Sequence, residues 1–104
     1  MPRPDRPLPG TVTVSPDPAA IGQELTAHGT GIPNDGSNSV WLKWSADPES
    51  LGGTLFTGAV LAADGTFAST VRLHFEGEWT LDVFEGFGGP KAKRLASDTF
   101  TVMP

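Results

Sequence analysis

The sequence predicts an all-β chain in which about seven short antiparallel strands form a two-sheet sandwich. Three observations carry this. Of 104 residues, 13 are Gly and 10 are Pro, and both residue types interrupt long helices. Apolar residues alternate with polar ones at a period of two in several short runs, and no window of useful length holds the helical period. Turn residues separate those runs at spacings of roughly 8 to 14 residues, the pattern of an antiparallel sandwich. Apolar residues make up 38% of the chain, with three Trp and six Phe, which is enough for one core and more than a disordered chain carries. With no cysteine available, stability must come from packing alone.

Residues 1–10, MPRPDRPLPG, alternate Pro with charged or small residues and read as an extended arm with few backbone donors. The sandwich domain then occupies 11–104. Thr11 to Ser15 is the first strand, with Val12 and Val14 inward, and Pro16 and Pro18 end it. Gln23 to Gly29 puts Leu25 and Ala27 inward, before a long turn-rich loop from Gly29 to Ser39. Val40 to Trp44 alternates cleanly, so Leu42 and Trp44 face the core while Trp41 and Lys43 face away. Asp47 to Gly53 is a second loop and Thr54 to Val60 a strand. Asp64-Gly65 is a hairpin signal leading into Thr66 to Leu73, with Phe67, Val71 and Leu73 on one side. Glu76-Gly77 turns the chain into Glu78 to Phe84, with Trp79, Leu81 and Val83 inward. The Gly-rich loop from Glu85 to Arg94 precedes Asp98 to Met103, where Phe100 and Val102 face the core.

Thr11 to Pro16 (TVTVSP), Gly22 to Gly31 (GQELTAHGTG), Asp64 to Phe67 (DGTF) and Gly77 to Leu81 (GEWTL) resemble blocks of the bacterial and phage immunoglobulin-like domains. Trp44 and Trp79 resemble positions which that family fills with core aromatics. The chain departs from the immunoglobulin pattern in having neither a cysteine pair nor any Tyr for a tyrosine corner. The resemblance implies an immunoglobulin-like β-sandwich and says less about activity.

Composition narrows the chemistry. A net charge of −5 and a pI near 4.7 argue against a nucleic-acid partner, which needs a broad basic surface. No stretch of 18 apolar residues exists and the Pro-rich start lacks an apolar leader, so neither membrane insertion nor Sec export is expected. The absence of cysteine excludes thiol catalysis and Cys-ligated zinc. The histidines are His28 and His74, both expected at the surface, and no Gly-x-Ser-x-Gly elbow accompanies them. The chain is therefore expected not to be an enzyme. Asn34 to Asn38 and Asp47-Pro48-Glu49 are oxygen-rich but lack the spacing of a calcium loop, and the same residue types are what turns demand. Neither metal nor cofactor is expected.

What remains are surfaces for a partner. The arm offers Pro2, Arg3, Pro4, Arg6, Pro7 and Leu8, which read either as a low-entropy tether or as a plain leader. Trp41 and Phe87 offer exposed aromatics, with packing under the arm or a neighbouring loop as the alternative for Trp41. Lys91, Lys93 and Arg94 form the one locally basic run, either a docking patch or a solvated loop. A small immunoglobulin-like chain with no export signal resembles the proteins that decorate phage capsids or tails. That resemblance implies a virion accessory protein that docks on a capsid or tail lattice, as a homo-oligomer or singly, and contacts host glycans or proteins. The alternative reading is a spacer or carbohydrate-binding module of a secreted or cell-surface protein, and a third is a β-domain attached to an enzyme.

Overall fold

In this computed structural model, residues 8–47, 53–88 and 93–104 are described. They form eight strands: β1 (Thr11–Ser15), β2 (Ala19–Ala20), β3 (Glu24–Thr30), β4 (Ser39–Asp47), β5 (Thr54–Val60), β6 (Phe67–Arg72), β7 (Gly77–Glu85) and β8 (Arg94–Met103). There is no helix among the described residues. One sheet has the order β1-β3-β6 and the other β2-β8-β7-β4-β5. All pairings are antiparallel except that of β2 with β8.

The apolar faces of the two sheets share one core. Val12 and Val14 of β1, Leu25 and Ala27 of β3 and Phe67 of β6 meet Val40, Leu42 and Trp44 of β4, Trp79, Leu81 and Val83 of β7, and Phe100 and Val102 of β8. Trp44 is fully buried, its ring in a T-shaped pair with Phe100, centroids 5.9 Å apart and planes at 80°, an arrangement favoured by the ring quadrupoles. Its indole N–H donates to the Thr57 hydroxyl at 2.9 Å, which removes the cost of burying an unpaired donor.

Several features depart from the alternation-based reading. Pro16 and Pro18 end β1, but the chain then crosses to the other sheet, where β2 pairs Ala19 with Val102 and Ala20 with Met103. Two residues are too few for periodicity to reveal a strand. The Asp64-Gly65 turn forms, with Gly65 at φ +83° and Asp64 accepting hydrogen bonds from the Thr66 N–H and hydroxyl. Its flanking strands do not form a hairpin, because β5 lies in one sheet and β6 in the other. Val71, expected in the core, is half-buried because β6 is the outer strand of the smaller sheet. The last strand begins at Arg94 rather than Asp98, and a bulge between Val83 and Phe84 lets consecutive residues Leu95 and Ala96 both turn inward. Ile32, inside the long loop, is also buried, its N–H bonded to the Gly65 carbonyl.

The two sheets are stitched where β1 runs beside β8. The Gly10 N–H donates to the bulge carbonyl of Leu95 at 2.9 Å, and the Val14 N–H to the Asp98 carboxylate at 2.9 Å. Asp17 likewise accepts from the Thr101 N–H at 3.1 Å. The bond to Val14 satisfies a backbone donor that the outer strand β1 would otherwise expose.

In urea denaturation, Trp44→Ala and Trp79→Ala are each expected to lower stability by about 3 to 5 kcal/mol, and Trp41→Ala by about 1 kcal/mol. Equal losses at all three would contradict the facing described above.

Candidate functional site

Register places alternate residues of the five-stranded sheet on its outer face. Trp41 sits between Gly58 of β5 and Phe84 of β7, and Lys43 between Phe56 and Asp82. The same face carries Val60 at the end of β5, opposite Ser39. Trp41 is 41% exposed, Phe56 46% and Val60 79%, whereas Phe84 is buried. An outer-face phenylalanine without solvent access must be covered by its own neighbours, so Trp41 and Phe84 form the floor of an apolar strip.

At one end of this strip the loops converge. The N–H of the Trp41 indole donates to the Gly86 carbonyl at 3.1 Å, which fixes the ring against the start of the Gly-rich loop. Gly86 packs on the hydroxyls of Ser37 and Ser39 so closely that any Cβ would overlap them. The next residue, Phe87, is 76% exposed, and its N–H donates to the Asp35 carboxylate at 2.9 Å. Asp35 also accepts from the Ser37 N–H at 3.0 Å. Asn34 braces the same loop, accepting from the N–H groups of Gly36 and Asn38 and donating to the Asn38 side chain. The oxygen-rich loop thus spends these donors and acceptors on its own turn and on holding Phe87.

The Ser37 hydroxyl lowers the Asp35 pKa below the ordinary 3.8, loss of hydration opposes it, and the N–H groups of Ser37 and Phe87 add to the lowering. The charged form is therefore the one that holds the loops together.

The sequence-predicted partner residues fall as follows. Leu8, Phe87, Lys93 and Arg94 belong to stretches that meet at this end of the molecule. Gly10 bonds Leu95, Thr11 pairs with Thr30, Ile32 bonds Gly65, Leu61 bonds Asn38, and Phe84 pairs with Arg94. Trp41 lies beside them on the outer face. Arg94 is the first residue of β8 rather than a loop residue, and it pairs with Asp82 at 3.3 Å. Pro2, Arg3, Pro4, Arg6, Pro7 and Lys91 lie outside the described residues, as do Pro48 and Glu49. Phe56, Val60 and Phe84 were not among the predicted partner residues, since the cross-strand register that aligns them with Trp41 is invisible in sequence. His28 is exposed on the outer face of the smaller sheet. His74 borders a small cleft at the opposite end, with Leu55, Phe75 and Trp79. Among the described residues, no group of three or more His, Asp or Glu is placed to hold a metal ion.

No protein-family description matches the chain, and no curated protein matches it. A solved structure does: the superoxide reductase (neelaredoxin) from Ignicoccus hospitalis, at a TM-score of 0.54 and 11% identity, covering 89% of this chain and 77% of that one. This corrects the expectation that the chain is not an enzyme, which rested on two surface histidines and the lack of a nucleophile motif. An enzyme uses a fold of this shape, so the lack of a familiar sequence motif is no ground for excluding catalysis. At 11% identity the likeness concerns the fold, and superoxide reduction remains a property of the matched protein.

Asp35 gives a pH test. Its folded-state pKa lies below the unfolded value, so its contribution is present above about pH 4 and is lost as pH falls through the folded pKa. The Phe87 amide resonance should titrate with a midpoint below 3.8, and Asp35→Ala should abolish that titration. A pH-independent Phe87 amide would contradict the bond between the Phe87 N–H and the Asp35 carboxylate.

Proposed function

We propose that the chain is an immunoglobulin-like β-sandwich that docks on a larger protein assembly, the capsid or tail lattice of a phage particle. Support for the immunoglobulin-like reading comes from strand order. β1, β3 and β6 occupy the places of strands A, B and E, and β8, β7, β4 and β5 those of G, F, C and C′.

The observation carrying the docking role is convergence. Trp41, Phe87, Lys93, Arg94 and Leu8 come from four separate stretches of sequence and gather at one end and its adjoining face. Phe56 and Val60 extend the apolar strip there. Exposed apolar surface of this kind, rimmed by Lys43, Asp82 and Arg94, matches the composition of a protein contact patch. The described end of the arm, Leu8 to Gly10, lies at that same end, with the Gly10 N–H bonded to the Leu95 carbonyl. A sugar ligand is a second reading, favoured by the Trp41 ring, which is locked by its N–H and open on one side.

Mass spectrometry of purified particles from the phage encoding the chain should detect it. In co-sedimentation with those particles, Trp41→Ala and Phe87→Ser should each weaken association at least about tenfold, while His28→Ala leaves it unchanged. Association insensitive to both substitutions would overturn the reading. Trp41-dependent signal on a glycan array, with no particle association, would replace it with the sugar reading.

A further inference from the structure

Outer strands of a sheet normally carry some device against pairing with another chain: a charge, a proline, a bulge or very short length. The described outer strands mostly obey this. β2 has two residues, β1 runs into Pro16, and β6 ends on Arg72, which bonds the Gly22 carbonyl at 2.7 Å. β5 does not. Its seven residues, TLFTGAV, contain no charge, proline or bulge, and among the described residues its sheet neighbour is β4 alone.

We propose that β5 pairs antiparallel with β5 of a second copy of this chain, joining the two five-stranded sheets edge to edge about a two-fold axis through Thr57. The sequence of the strand is self-complementary in that register, the one in which all seven residues find partners. Thr57 meets itself, Phe56 meets Gly58 of the second copy, Leu55 meets Ala59, and Thr54 meets Val60. Each large side chain faces a smaller one. The space over Gly58 is bounded on its own side by the Trp41 ring, 4.0 Å from an ideal Cβ, and by the Val40 carbonyl at 3.8 Å. A Phe56 ring arriving from the second copy would fill that space and abut Trp41, continuing the aromatic strip across the joint.

Magnitude sets the affinity class. One strand pair of this length covers less than the roughly 1,200 Å² at the low end of stable interfaces, so the dimer should be weak, with Kd in the micromolar range or above. Each copy carries −5, so distant repulsion opposes pairing and added salt should strengthen it. The dimer shares Phe56, Val60 and Trp41 with the docking strip, but it is read from oligomeric state rather than from particle association, so failure of one reading is distinguishable from failure of the other.

Sedimentation velocity on the full chain, from about 10 μM to about 1 mM, should show a concentration-dependent dimer that tightens with salt. Combining Thr54→Lys with Val60→Lys puts Lys against Lys at both ends and should weaken dimerisation at least tenfold. Combining Thr54→Glu with Val60→Lys puts opposite charges together and should preserve it. Gly58→Val occupies the space meant for Phe56 and should also weaken the dimer at least tenfold, with circular dichroism confirming that each variant is folded. A wild-type chain that remains monomeric throughout, or charge variants that behave alike, would overturn the proposal.

Discussion

Burying an indole obliges a fold to satisfy its N–H, and the placement of Trp44 meets that obligation across strands. The ring sits at the centre of β4 with no solvent contact, its N–H bonded to Thr57 of β5, and forms a T-shaped pair with Phe100 from β8. Shifting β4 by one residue would expose Trp44 and bury Lys43. The register that avoids this also lines up Leu42 with Val83 and Trp44 with Leu81. The outer face inherits the same register, so the alignment of Trp41 with Phe84 and Gly58 follows from where Trp44 must sit.

The strands that alternate over five or more residues were legible in the sequence because burial on one side imposes a period of two. Leu25 and Ala27, Leu42 and Trp44, and Trp79, Leu81 and Val83 each report their own facing. Sheet membership was not legible. Asp64-Gly65 has the local chemistry of a hairpin, and that chemistry is satisfied by Thr66 whichever sheet the next strand joins. What decides is tertiary: β6 pairs with β3 through Phe67 to Arg72, placing Phe67 over the core. The burial of Ile32 and the bulge at Leu95 are of the same kind, since each depends on a partner far away in sequence.

For the candidate site the split is similar. Trp41 and Phe87 stood out because large aromatics in outward or loop positions have no local reason to be there. Phe56 and Val60 carry no such mark, because their face is set by pairing with β4. Asp35 shows a different limit. Its residue type suited a turn or a cation, and the structure uses it to hold the Phe87 backbone from 52 positions away.

The stitching of β1 to β8 has a mechanical side. Gly10 bonds Leu95 and Val14 bonds Asp98, so position along one strand rises with position along the other and the two run in the same direction. Tension applied between residue 8 and residue 104 would therefore pull these strands past each other lengthwise. The two hydrogen bonds would be loaded together, in shear, instead of opening one after another like a zip. Resistance of that type raises the barrier to forced unfolding, a kinetic property that equilibrium stability does not report.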